Sequence, residues 1–231
     1  MTTEAIGFSS DLPAAHAMRA CVSDIDLAVW RSESGSVSAW ENRCPHRGMR
    51  LSHGFVRGES LACIYHGWQF NTAGKCNYIP ALPNLTPPDT VKPKAYSVVE
   101  QHKLIWVSAT EEAIPCTIDE HMVPLRSLTF ACGTAQAHAA FSETNLVPFL
   151  EINQASVTVN PENNILTISS ADTSEVTIVF QQLTPSSITA HIMANKHWTN
   201  TQQVALSRWC EHVRRVAEQE TTDNAQQMRG E

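Results

Sequence analysis

Four residues of types that bind metals lie in two short segments of the first half of the chain. Each segment carries one cysteine and one histidine, and the four side chains are Cys44, His46, Cys63 and His66. Thiolates and imidazoles are common ligands of zinc and iron. A glycine, Gly48 or Gly67, lies just past each histidine. This pattern predicts a tight loop at a strand end that folds closely around a bound group.

The order of the ligand types bears on which metal these loops hold. Zinc fingers usually take two cysteines from one loop and two histidines from the other, whereas here each loop mixes the two types. In a Rieske [2Fe-2S] centre one iron takes both cysteines and the other takes both histidines, so two mixed loops can hold the cluster from either side. The pattern favours this cluster. A tetrahedral zinc site and a chance meeting of buried cysteines and histidines are the alternatives.

A longer run of sequence around these loops resembles a known family. The run comprises Cys44-Pro-His-Arg-Gly, Leu51-Ser-His-Gly, Cys63-Ile-Tyr-His-Gly-Trp-Gln-Phe and Gly74-Lys-Cys-Asn-Tyr-Ile-Pro80. It is similar to the N-terminal domain of ring-hydroxylating and demethylating Rieske non-haem iron oxygenases, and it lacks the extra cysteine that respiratory Rieske proteins carry in each loop. The resemblance implies that the cluster ligands are Cys44, His46, Cys63 and His66. It also implies that Tyr65 and Trp68 pack beside the cluster.

Short alternations of apolar and polar residues predict an all-β domain over residues 1–110, and the resemblance implies that it is the Rieske [2Fe-2S] domain. Hairpins are predicted at residues 25–40 and 95–108, with further short strands between the ligand loops and after the second loop. Four prolines within residues 80–88 predict an extended surface arm, because proline disrupts helices and central strands.

The second half of the chain predicts a different domain. Residues 111–130 are predicted to be a linker and residues 131–231 a second domain. Strands are predicted at residues 136–141, 156–159, 165–168, 175–180 and 187–193, with a short helix or turn at 145–153. An amphipathic helix over residues 201–220 would bury Val204, Leu206, Trp209, Val213 and Val216. The expected fold class is mainly β, α+β overall, and the family resemblance implies a shortened helix-grip arrangement for this half.

The family resemblance also implies a second iron site. Family members hold a mononuclear Fe(II) with two histidines and a carboxylate, which leave positions open for dioxygen and substrate. The corresponding segment here, residues 141–153, contains carboxylate and amide groups but no histidine. His191 and His197, together with Asp172, are candidates for an improvised site. The ordinary alternative is that these histidines are surface residues or form local hydrogen bonds.

Composition argues against several classes of partner. The net charge is −7, and the basic stretch at residues 208–215 is interrupted by Glu211, which argues against nucleic acid. No segment approaches the ~20 apolar residues of a membrane span, and the N-terminus lacks a signal-peptide pattern, so we expect a cytoplasmic protein without membrane contact. Five of the seven cysteines lie outside the ligand loops without disulfide-like spacing and are expected to be reduced.

No nucleotide-binding or flavin motif occurs in the sequence, so a reductase or ferredoxin must supply electrons from NAD(P)H. The expected function is that of the Rieske electron-transfer subunit of a hetero-oligomeric oxygenase. It would pass electrons to a mononuclear iron on a catalytic partner subunit that hydroxylates or demethylates its substrate. A self-contained oxygenase with an unconventional iron site and a free Rieske-type ferredoxin are the alternatives.

Overall fold

A computed structural model of the chain describes residues 3–110, 112–146, 149, 156–160, 164–170 and 173–227. The chain divides into two compact units, Met1–Pro115 and Cys116–Glu231. No helix in the described part of the chain is both long and apolar enough to cross a membrane.

The first unit consists of two antiparallel sheets. Its strands are β1 (Thr3–Phe8), β2 (His16–Val22), β3 (Ile25–Arg31), β4 (Val37–Glu41), β5 (Phe55–Arg57), β6 (Ser60–Ala62), β7 (Gln69–Asn71), β8 (Cys76–Tyr78), β9 (Ala95–Gln101) and β10 (Leu104–Ser108). The large sheet has the order β1-β10-β9-β4-β3-β2 and the small sheet the order β5-β6-β7-β8. The hairpins predicted at residues 25–40 and 95–108 are confirmed as the pairs β3–β4 and β9–β10.

One apolar core joins residues of both sheets in this unit and includes two of the candidate ligands. Its buried members are Ala28, Trp30, Trp40, Cys44, Leu51, Leu61, Cys63, Phe70, Cys76 and Ile79. Trp40 contacts Trp30 and Phe70 edge-on, with 5.1 and 6.4 Å between ring centroids. The edge-on contacts suit the charge distribution of aromatic rings and leave little space for water. The two thiols therefore lie within a buried apolar core of the unit.

Arg31 connects several chain segments beside the large sheet. Its guanidinium donates to both carboxylate oxygens of Glu100, at 2.7 and 2.6 Å. It also donates to the backbone carbonyl oxygens of Ser9, Leu12 and Gly35. The Arg31 side chain is 13% exposed and that of Glu100 is 32% exposed, so water screens this pair less than it would a fully exposed one.

The Arg31–Glu100 pair should make stability depend on pH. The hydrogen bonds from Arg31 lower the pKa of the Glu100 carboxyl. A carboxyl with a lowered folded-state pKa contributes stability above its unfolded pKa and loses it as pH falls through the folded value. We expect Glu100→Gln to reduce the free energy of unfolding by about 1–2 kcal/mol at pH 7 and the difference to shrink towards zero below about pH 4. Urea unfolding at a series of pH values measures this, and an equal loss at pH 7 and pH 3 would contradict it.

The second unit is an antiparallel sheet with two helices. Its elements are β11 (Met122–Phe130), α1 (Thr134–Glu143), β12 (Ser156–Asn160), β13 (Ile165–Ser170), β14 (Thr173–Thr184), β15 (Ser187–Asn195) and α2 (Asn200–Gln227). The sheet order is β11-β15-β14-β13-β12. The expected fold class is confirmed, as are the four strands predicted between residues 156 and 193 and the terminal helix. The core of this unit includes Phe130, Phe141, Phe180 and Trp209, with residues from the sheet and both helices.

Two segments of the second unit differ from the sequence-based expectation. The strand predicted at residues 136–141 is wrong, because these residues belong to α1. Ala137, Ala140 and Phe141 are its buried residues, at the three- and four-residue spacing of one helix face, and the alanines favour a helix. Residues 122–130, expected to be part of a linker, form β11. Pro124 is accommodated because β11 is an edge strand whose pairing with β15 shifts register between Pro124 and Arg126.

The buried face of α2 also differs in part from the expected one. Val204 is 51% exposed, although it was predicted to be buried. Leu206, Trp209 and Val213 are fully buried as predicted, and Cys210 and Ala217 complete that face. The helix or turn predicted at residues 145–153 lies mostly outside the described residues.

Candidate metal centre

The two ligand loops close with the same pair of backbone hydrogen bonds. In each loop the cysteine N–H donates to the carbonyl oxygen five residues later, and the glycine N–H four residues later donates back to the cysteine carbonyl oxygen. Both bonds are 2.8 Å in the loop that begins at Cys44 and 2.9 Å in the loop that begins at Cys63. Gly48 and Gly67 have φ of +74° and +69°. These values confirm that the glycines supply the left-handed backbone that the loops need.

Both cysteine thiols of these loops are buried. Cys44 is 3% exposed and Cys63 is 2% exposed. Burial is the main cause that raises the pKa of the Cys44 thiol, and the adjacent Cys63 acts in the same direction. The backbone N–H groups of His46 and Arg47 hydrogen-bond the Cys44 sulfur and partly oppose this rise. Such donors stabilise a thiolate, which is the form that binds metal.

The two imidazoles of the loops lie next to each other and reach the surface. Their ring centroids are 4.7 Å apart, and His66 is exposed while His46 is partly exposed. Trp68 stacks on His46 with 4.2 Å between centroids and 6° between ring planes. The ring centroids of Tyr65 and His66 are 3.9 Å apart. The second loop therefore supplies an aromatic neighbour to each histidine.

Asn42 and Asp26 anchor the first loop to the sheet, a role that the sequence did not reveal. The Asn42 amide donates to Asp26 Oδ1 at 3.1 Å, and Asn42 Oδ1 accepts the Ser52 N–H at 2.8 Å. Asp26 also pairs with Arg19 at 2.7 Å and with Arg50 at 3.6 Å. Asn42 thus ties the residues before and after the first loop to β3. No spacing rule relates these positions, so sequence inspection had no signal for the network.

The donor set fits a cluster with mixed ligands. A pair of adjacent buried thiols suits one iron of a [2Fe-2S] cluster, and a pair of adjacent imidazoles near the surface suits the other. All seven cysteines are within the described residues, and none is in a disulfide, so both thiols are available as ligands.

The residues predicted for an improvised second iron site have separate surroundings. His191 on β15 is 2% exposed, and its Nδ1 lies 2.9 Å from Ser127 Oγ. His197 lies in the turn after β15, where its ring is 6.1 Å from that of His121. Asp172 lies outside the described residues. Across the parts of the chain that the structure covers, no three His, Cys, Asp or Glu side chains are placed to hold a single metal ion.

Comparisons with known proteins agree with the geometry of the first unit. Residues 3–106 match the family model of the Rieske [2Fe-2S] domain. The chain is 42% identical over 104 residues to the oxidoreductase NdmD of Pseudomonas putida, a match that covers 45% of this chain and 18% of NdmD. It is 33% identical over 100 residues to TsaM1, the iron-sulfur subunit of the toluene-4-sulfonate monooxygenase system of Comamonas testosteroni, covering 43% of this chain and 28% of TsaM1. The chain thus spans less than a third of each of these relatives.

A solved structure has a similar fold over most of the chain. The structure of the NdmA QL mutant of Pseudomonas putida CBB5 with caffeine aligns with a TM-score of 0.72 and 19% identity, covering 94% of this chain and 80% of that chain. At this identity the likeness shows the fold alone.

The first unit is therefore a Rieske [2Fe-2S] domain, and a domain of this class holds a [2Fe-2S] cluster. Through this domain the chain is similar to the oxidoreductase NdmD and to the monooxygenase iron-sulfur subunit TsaM1.

Proposed function

We propose that this chain is the Rieske electron-transfer subunit of a hetero-oligomeric non-haem iron oxygenase. The cluster ligands in this proposal are Cys44, His46, Cys63 and His66. The observation that carries it is the matched pair of loops, which set a buried thiol pair and a surface imidazole pair side by side. When bound there, a [2Fe-2S] cluster supplies one-electron transfer.

The residues around the loops would direct where electrons enter and leave. Trp30, Trp40 and Phe70 belong to the same core as the thiols and exclude water from that side. His66 is exposed and His46 partly exposed, so a carboxylate of a partner would be able to accept a hydrogen bond from either ring and orient it. Stacking on Trp68 holds the plane of His46. Electrons would therefore pass between proteins at the imidazole side of the domain.

Two partner proteins follow from the proposal. The sequence has no nicotinamide or flavin motif, so an NAD(P)H-dependent reductase or a ferredoxin would deliver electrons. A catalytic oxygenase subunit would hold the oxygen-activating iron, because residues 141–153 contain no histidine. TsaM1 is itself named as the iron-sulfur subunit of a monooxygenase system, which supports a role within a larger assembly.

One observation favours a second candidate, a self-contained oxygenase. The fold similarity to NdmA covers 94% of this chain and so extends into the second unit. A catalytic fold could hold iron through ligands that depart from the usual pattern. Iron content distinguishes the two candidates.

The decisive experiment counts iron and then adds the partner. The purified chain should hold about two irons and two sulfides, and should oxygenate no substrate with a reductase until a catalytic subunit is supplied. Replacing both His191 and His197 by alanine should leave the rate of the reconstituted system unchanged, whereas Cys63→Ala should abolish it. Full activity of the chain without a partner, or a third tightly held iron that the double alanine variant loses, would establish the self-contained oxygenase instead.

A further inference from the structure

Four basic side chains surround a surface depression beside the first ligand loop. The depression has a volume of about 390 Å³, and its basic lining residues, here called the basic patch, are Arg43, Arg47, Lys92 and Lys94. All four are exposed. Glu41 is the one acidic side chain in the lining. The depression also includes Cys44 and His46, so the positive charge lies directly beside two candidate cluster ligands.

Strand pairing brings the basic patch together from two distant segments. Residues 41–48 begin at the last residue of β4, whereas residues 92–94 precede β9. The pairing of β4 with β9, and a 2.8 Å hydrogen bond from the Glu41 N–H to the Lys94 carbonyl oxygen, place them side by side. Because the two segments are more than forty residues apart in the sequence, the sequence gives no sign that their charges lie together.

In the part of the chain that the structure describes, no member of the basic patch forms a salt bridge, although Asp89, which pairs with Lys75, also interacts with Lys92 at longer range. The ammonium of Lys94 lies 4.9 Å from the ring of Tyr96, a contact that leaves its charge in place. The chain as a whole carries a net charge of −7, so the patch is a local reversal of sign. Such a surface attracts and orients an acidic partner.

The second loop presents a different kind of surface. Ile64 and Tyr65 are 54% and 55% exposed, beside His66. The two imidazoles are thus flanked by unlike surfaces, positive charge next to His46 and apolar side chains next to His66. An acidic protein matches the surface next to His46.

Resting on the proposed function, we propose that the basic patch is the docking surface for an acidic [2Fe-2S] ferredoxin that delivers electrons to this chain. In each encounter the ferredoxin is oxidised by one electron and this chain is reduced by one, with no bond made or broken. The direction is favourable, since all-cysteine ferredoxins of the plant type have lower reduction potentials than Rieske centres. Arg47 is next to His46 in sequence, so a protein seated on the patch lies beside a partly exposed ligand.

The test measures binding directly, using the cluster-loaded chain and an acidic plant-type [2Fe-2S] ferredoxin as the probe. The dissociation constant is measured by fluorescence anisotropy at about 20 mM and about 300 mM salt, where screening differs strongly. We expect Lys92→Glu combined with Lys94→Glu to weaken binding at low salt by about tenfold or more. Neither residue is in a ligand loop. Iron content and reduction by photoreduced 5-deazariboflavin should therefore match those of the unaltered chain.

A matched control makes the same change in net charge at a different place on the unit. Arg57→Glu combined with Lys103→Glu also reverses two exposed basic side chains. Lys103 follows β9, whereas Lys94 precedes it, so they lie at opposite ends of that strand. Arg57 precedes Gly58, which bonds Glu33 in the turn between β3 and β4, at the end of β4 away from Arg43. The control should bind the ferredoxin as the unaltered chain does.

Three results would overturn the docking proposal. They are unchanged binding by the Lys92 and Lys94 variant, an equal loss in the control, and a loss of affinity for the catalytic subunit alone. Iron and sulfide analysis of the same samples tests the proposed electron-transfer role independently of the docking surface. A chain without a cluster would refute the electron-transfer role, whereas a reducible cluster with salt-independent ferredoxin binding would refute only the docking surface.

Discussion

Replacement of His66 by cysteine should lower the midpoint potential of the first unit by at least about 100 mV or prevent cluster assembly. The reason is that a neutral imidazole donates less negative charge than a thiolate, so an added thiolate stabilises the oxidised form. The unaltered chain should be red-brown, with a potential within about −150 to +300 mV. Redox titration followed by visible absorption and electron paramagnetic resonance measures both quantities. His46→Cys should also lower the potential or prevent cluster assembly, because the rings of His46 and His66 lie next to each other.

His53 provides the control for this prediction. It is an exposed histidine between the two ligand loops, at the end of the short helix Leu51–His53. His53→Cys should therefore leave the colour and the potential unchanged. A colourless protein with one zinc per chain, or a potential that His66→Cys does not alter, would refute the ligand assignment.

Gly67→Ala should remove most of the cluster. At φ +69° an alanine is strained by about 1–2 kcal/mol. Its Cβ would also lie 2.9 Å from Pro80 Cγ, in a ring that has little freedom to move. Relieving this contact would shift the loop and weaken the 2.9 Å bond from the Gly67 N–H to the Cys63 carbonyl oxygen. Iron per chain and the temperature at which visible absorption disappears measure the loss.

Gly48→Ala is the matched variant in the first loop. Its φ is +74°, so the backbone strain is similar, but its Cβ would meet the flexible Arg43 side chain at 3.3 Å. Gly48→Ala should therefore retain clearly more cluster than Gly67→Ala. Adding Pro80→Ala to Gly67→Ala should restore part of the loss, since it removes the close contact. Equal loss in both loops, or no rescue by Pro80→Ala, would show that backbone strain alone governs assembly.

Features that depend on neighbouring residues could be read from the sequence. Each ligand loop closes within six residues, so residues that are close together in the sequence determine its conformation. The hairpins and the terminal helix likewise follow from short-range patterns of apolar residues. Pro124 and the segment 136–141 show where prediction from neighbouring residues fails. A proline is accommodated in a strand at an edge or a register shift, which depends on the partner strand, and a short alanine-rich run has no clear period.

By itself, the sequence determined the donor types, the two loops that carry them and the class of domain, because these depend on residues close together in the chain. The tertiary structure decided which distant residues act on the loops. Asn42 reaches Asp26 and Ser52 through strand pairing and loop closure. The basic patch forms because β4 pairs with β9, which brings residues 92–94 beside residues 41–48. Contacts of this kind depend on strand order and register, which are set by the packing of the whole sheet.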